Sequence, residues 1–162
     1  LPLAATLSTE AVFSAFLGPP EEGRTFFHGH TYTGNALGAA AAHATLDIFE
    51  RHEVIAQLPA KVAHLQTALE ALQDRPGVGD IRQFGLCIGI EMVADRRTKA
   101  PFPAAERRGI KVCNAALERG VFLRPLGDVV VLMPPLSMNT DELTQLVDAV
   151  AYGVEMALPD AR

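Results

Sequence analysis

"LCIGIEM", residues 86–92, changes the period of the chain. Leu86, Ile88, Ile90 and Met92 alternate with Cys87, Gly89 and Glu91, and a period of two is strand spacing. Upstream the period is different. Leu58, Val62, Leu65, Leu69 and Leu72 recur in steps of four and three, the apolar stripe of a helix. Pro59 is expected in the first turn of that helix, where a missing N–H costs least, and Pro76-Gly77 ends it. Val78 to Phe84 is the expected partner strand, with Gly85 near the reversal.

Working downstream, Pro103 can start a further helix, which Gly120 closes. "VFLRPLGDVVVLMPP", residues 121–135, gives two β-rich runs around Pro125-Leu126-Gly127-Asp128, a hairpin. Asn139 or Thr140 caps a last helix with Asp141 and Glu142 in its first turn. Its buried stripe is Leu143, Leu146, Val147, Val150 and Val154. The order helix, strand, strand, helix, strand, strand, helix implies an α+β fold, a small antiparallel sheet covered by helices.

Working upstream, "FFHGHTYTGNALGAAAAHATLDIF", residues 26–49, leads from a polar cluster into a helix carrying Leu37, Ala41, Ala44 and Ile48. Gly18 to Gly23 forms a loop before it. Ser8, Thr9 and Glu10 cap a short helix with Val12, Phe13, Phe16 and Leu17. Leu1 to Leu7, with Pro2 near its start, is an expected edge or terminal strand. The chain opens on Leu1 without a methionine or a signal peptide, and so reads as a piece of something longer.

The 162 residues are about one domain, with 49% apolar and 20% charged residues, the globular class. The net charge of -5 argues against a nucleic-acid partner, which would require a basic face. No apolar run reaches the length of a membrane-spanning helix. Cys87 and Cys113 lack metal-ligand spacing and read as buried cytoplasmic thiols, not as a disulfide framework.

Two places can grip an anion. His28-Gly29-His30-Thr31-Tyr32-Thr33-Gly34-Asn35 precedes a helix, whose first N–H groups and dipole attract phosphate or carboxylate. The competing reading is that Thr33 or Asn35 simply caps that helix. A metal site on His28 and His30 lacks a third ligand. Arg124 ends a strand, and its planar fork of donors matches a carboxylate. The competing reading is a solvated charge paired with Asp128. Glu91 is expected to pair with Arg82 or Arg96 across the sheet. Residues 96–99 read as a solvated basic loop. His43, His52 and His64 lie at helical positions with no nucleophile near them in sequence, and no serine or cysteine has the context of an activated nucleophile.

Three blocks, "LPLAATLSTEAVFSAF", "FFHGHTYTGN" and "LRPLGDVVVLMPPLSM", together resemble the C-terminal part of the class III, fold type I aminotransferases that depend on pyridoxal 5'-phosphate. The resemblance covers essentially the whole chain. It implies that residues 1–50 are a residual segment of a large domain, with a strand, a helix and the phosphate-binding loop. Residues 51–162 are then the C-terminal small α+β domain.

By the same resemblance Thr31 binds the cofactor phosphate, with His30 contributing beside it, and the cofactor is that of the neighbouring subunit. Gly29 lines the substrate pocket. Arg124 receives the substrate carboxylate, as in the branch of the family that serves biotin synthesis, with S-adenosylmethionine as amino donor. The family commonly has proline after the position of Asn35, where this chain has Ala36. The lysine that carries the cofactor matches no residue here and is expected upstream of Leu1, as is the aspartate facing the cofactor ring. The expected assembly is a cytoplasmic homodimer with a shared active site for small-molecule substrates, with no membrane or nucleic-acid partner. The alternatives are another class III transaminase, acting on ω-amino acids or diamines, and a non-catalytic α+β binding domain.

Overall fold

Gly85, at φ +61, turns strand β1 (Val78–Phe84) back onto β2 (Cys87–Met92). A side chain there would be strained, and glycine makes the reversal cheap. Gly127, at φ +60, does the same between β3 (Arg124–Leu126) and β4 (Val129–Leu132). β2 and β4 pair antiparallel in the middle, so the sheet runs β1-β2-β4-β3 with every pairing antiparallel.

Period-two spacing then decides what is buried. Ile88, Ile90 and Met92 of β2 and Val130 and Leu132 of β4 point to one face and are buried there. Helices α3 (Val54–Gln73), α4 (Arg108–Glu118) and α5 (Thr140–Ala157) supply the rest of that core. Leu65, Leu69 and Leu72 come from α3, Val112 from α4, and Leu143, Val147, Val150 and Val154 from α5. Each large aliphatic group so buried contributes about 1.5–3 kcal/mol. Gly153 lets α4 and α5 approach closely, since a Cβ there would stand 2.5 Å from the Val112 carbonyl oxygen. An antiparallel sheet with helices on one face is the expected α+β architecture.

The structure is a computed structural model that describes residues 1–158. Contacts divide the chain into two compact units, Leu1–Glu53 and Val54–Arg162. The sheet and helices α3 to α5 belong to the second. The first holds α1 (Glu10–Ser14), capped by Thr9, a 3-10 turn at Pro20–Glu22, and α2 (Ala36–Arg51).

Several expectations are corrected. Leu1 to Leu7 forms no strand, because none of the four strands pairs with it. Pro59 lies well inside α3, which starts at Val54. Pro59 and Ile55 are both exposed, so the carbonyl left without a helical partner can be hydrated. Pro103 opens only the 3-10 turn Ala104–Glu106; Arg107, at φ +51, interrupts it and α4 begins at Arg108. Cys87 is exposed while Cys113 is buried, since the register puts Cys87 opposite Phe84 on the uncovered face.

Candidate functional site

The two expected anion grips lie in different units, and each is built locally. In the first unit Asn35 caps α2, its side-chain oxygen accepting from the Gly38 N–H at 3.0 Å. The capping reading of Asn35 is therefore met. Thr33 is engaged elsewhere. Its Oγ1 accepts from the His30 N–H at 3.1 Å, while the Thr33 N–H donates back to the His30 carbonyl at 3.0 Å. The Tyr32 N–H donates to His30 Nδ1 at 3.1 Å. A neutral His30 ring accepting at Nδ1 carries its proton on Nε2.

This closed turn leaves Thr31 different from its neighbours. Among the described residues its N–H and its hydroxyl have no hydrogen-bond partner, and the residue is exposed. No acidic residue occurs between Gly23 and Leu46. Two free donors on one residue, with no carboxylate nearby in sequence, suit an anion. His30 also lines a cavity of about 760 Å³ with Leu1, Leu3, Tyr32 and Leu37. Gly29 is exposed, and a Cβ added to it would meet nothing within 4 Å.

In the second unit the uncovered face of the sheet carries Arg124. The register Arg124–Val131–Gly89–Arg82 forms one row across all four strands, with an arginine at each end. The two arginines differ in what they hold. Arg82 reaches Glu91 at 2.6 Å and Asp80 at 3.0 Å, and these carboxylates, Glu91 first, raise its pKa further. Of the two arginines offered to Glu91, Arg82 takes it; Arg96 instead donates to the Gln73 carbonyl at 2.7 Å. The Arg124 side chain makes no hydrogen bond or ion pair among the described residues, its backbone being paired with Val131. The pairing with Asp128 is not formed, because Asp128 Oδ1 accepts from the Gly109 N–H at 2.9 Å.

Arg124 borders a cavity of about 660 Å³ whose other walls are mostly apolar, among them Phe122, Leu126, Val131, Met133 and Met138, with Glu142 and Gln145 also in the lining and the Glu142 carboxylate held by the Asn139 N–H. A free guanidinium beside an apolar trough suits a carboxylate at the end of a hydrocarbon chain. The apolar walls were not singled out from sequence. Phe122 and Met133 lie in the two β-rich runs of the hairpin, whose pattern alone does not say what they face.

The remaining candidates fall into structural roles. His64 Nε2 lies 2.8 Å from Thr144 Oγ1, whose hydroxyl is already turned to the Thr140 carbonyl. Lys61 Nζ donates to the Leu136 carbonyl at 2.6 Å. Lys99 sits at φ +56 in the loop after Asp95, and Lys111 lies on α4. No described helix is long and apolar enough to cross a membrane.

The model of the family "Aminotransferase class-III" matches residues 1–152. The chain belongs to the class III aminotransferases. Its curated class III relatives include the adenosylmethionine-8-amino-7-oxononanoate aminotransferases of Geobacter sulfurreducens, 51% identical over 95% of this chain, and of Nitratidesulfovibrio vulgaris, 55% identical over 93%. It covers 34% and 28% of those proteins, about a third of their length. The crystal structure of the Methanocaldococcus jannaschii enzyme of the same name superposes with a TM-score of 0.92 at 43% identity, over 97% of this chain and 36% of that one. A thermostable omega transaminase from Pseudomonas jessenii, in a 6-fold mutant, superposes at 0.77 with 31% identity, over 83% of this chain and 30% of that one. This class III chain therefore has the α+β architecture that its relatives share.

Proposed function

We propose that this chain is the C-terminal part of an adenosylmethionine-8-amino-7-oxononanoate aminotransferase, a homodimeric, cytoplasmic enzyme of biotin synthesis dependent on pyridoxal 5'-phosphate. The observation that carries the substrate is Arg124, free of any partner among the described residues and set beside an apolar trough. A nine-carbon keto acid has a carboxylate for the guanidinium and methylenes for the walls. The greater identity to relatives of that name than to the omega transaminase supports the same branch.

Residues 1–50 are then part of the large domain and residues 51–162 the small domain, a division supported by the two compact units of the structure. The free N–H and hydroxyl of Thr31 fit a phosphate, and Thr31 would hold that of the neighbouring subunit's cofactor, with His30 beside it and Gly29 lining the substrate pocket. Bound pyridoxal phosphate supplies the electron sink for moving an amino group between donor and acceptor. Arg124 orients the acceptor by its carboxylate, and Phe122, Leu126 and Met133 keep water from its chain.

On this reading none of the chain's own lysines is the one that carries the cofactor. Lys61 is committed to a carbonyl, and Lys99 and Lys111 lie on a loop and a helix away from Arg124's trough. The reaction thus needs the lysine expected upstream.

The test is amino transfer by the full-length, cofactor-loaded enzyme to 8-amino-7-oxononanoate. S-adenosylmethionine is expected to serve as donor where alanine, lysine and ω-amino acids do not. Transfer from an ω-amino acid or a diamine, with none from S-adenosylmethionine, would instead place the protein in the ω-transaminase branch.

A further inference from the structure

Arg124 has no partner of its own among the described residues, so its position depends on the strand beneath it. That strand is short. β3 has three residues at the sheet edge and pairs with β4 alone, Pro125 being the middle, non-hydrogen-bonded pair. A contact outside the ladder would fix so short a strand further.

The hairpin turn supplies a candidate. Arg107 precedes α4 with left-handed backbone and no side-chain cap, and its carbonyl accepts from Ile110 and Lys111, so the Gly109 N–H needs an outside acceptor. Asp128 provides one: its Oδ1 accepts from the Gly109 N–H at 2.9 Å. The Asp128 carbonyl accepts from the Met92 N–H, also at 2.9 Å. One residue thus ties the turn to α4 through its side chain and to the end of β2 through its backbone. A second observation points the same way. A Cβ on Gly109 would stand 2.2 Å from the Gly127 carbonyl oxygen and 3.0 Å from Pro125 Cβ. Helix, turn and edge strand therefore meet in a contact that only glycine admits.

We propose that Asp128 is a positioning residue for Arg124, its carboxylate latching the β3–β4 hairpin to the first turn of α4 so that the guanidinium stays over the trough. The latch rests on the reading of Arg124 as the carboxylate grip. It makes Asp128 a determinant of acceptor recognition without contact with the acceptor.

The test uses the full-length, cofactor-loaded enzyme and two acceptors, the keto acid and its methyl ester, which lacks the charge Arg124 receives. Asp128→Ala is expected to raise KM for the acid at least about three-fold, leaving kcat and the KM of the ester near wild type. Asp128→Asn keeps an acceptor oxygen and is expected to behave as wild type. Should Asp128→Ala fail to fold, Asp128→Leu, which keeps a branched side chain of similar shape without an acceptor, carries the same expectation. An unchanged KM for the acid, an equal rise for acid and ester, or an Asn variant as impaired as Ala would each overturn the latch. Arg124→Ala run alongside separates the two ideas. If it spares the preference for acid over ester, the reading of Arg124 fails; if it removes the preference and Asp128→Ala does not, only the latch fails.

Discussion

Thr31 and Arg124 share side-chain donors with no acceptor among the described residues, each beside a cavity or turn where a ligand has access. Neighbours in the same segments are engaged, Thr33 by His30 and Arg82 by Glu91 and Asp80. Thr31→Val in the full-length enzyme removes one hydroxyl donor from an anion. Its dissociation constant for pyridoxal phosphate, followed by equilibrium dialysis, is expected to rise roughly ten-fold, and an unchanged constant would remove Thr31 from the phosphate site. The cysteines make a second residue-scale contrast. Burial pushes the Cys113 thiol up, whereas Cys87 is exposed. A thiol reagent at pH 8 is expected to label Cys87 quickly and Cys113 only on unfolding. The unfolded Cys113 ionises near pH 8.5 and the folded one above that. Its stabilising contribution is therefore whole below about pH 8.5 and declines as pH rises through the folded value. Faster labelling of Cys113 than of Cys87 would contradict both.

At the scale of elements, the last helix shows how capping chemistry sets a boundary. The Asn139 side chain accepts from the Glu142 N–H at 2.9 Å and the Glu142 carboxylate accepts from the Asn139 N–H at 2.8 Å. Asn139→Ala is expected to lower stability by about 1 kcal/mol in urea denaturation, and no loss would mean that water replaces the cap. The start of this helix near Asn139 or Thr140, the period switch at 86–92 and the two glycine turns were legible in the sequence because each is a local rule, whereas the choice of Asn139 and its reciprocal bond with Glu142 came from the structure. Wrong expectations came where a distant partner decides. Leu1–Leu7 has the composition of a strand but no neighbour to pair with. Cys87 reads as buried until the register assigns the alternating positions to opposite faces. Asp128 looked like a partner for nearby Arg124, yet its acceptor serves Gly109, nineteen residues away along the chain. For the site, the donor types were readable, but which of them stay unpaired was not.

At the scale of the molecule, the chain spans about a third of its curated relatives and divides into two units of unequal solidity. The described core belongs almost wholly to Val54–Arg162, while in Leu1–Glu53 only Gly38 is buried and Phe27, Leu37 and Leu46 stay exposed. On the proposed reading none of Lys61, Lys99 and Lys111 is the lysine that carries the cofactor, so the isolated chain, mixed with pyridoxal phosphate and both substrates, is expected to form no diamine product. Turnover by the isolated chain would show that a lysine within it suffices. The most direct test of the grip itself is the ratio of kcat/KM for the keto acid to that for its methyl ester, measured in the full-length enzyme with Arg124 intact and with Arg124→Ala. A free guanidinium receiving the carboxylate requires the ratio to fall by about ten-fold or more on substitution. A ratio that does not change would mean that the carboxylate is held elsewhere and that Arg124 is only a charge at a hairpin end.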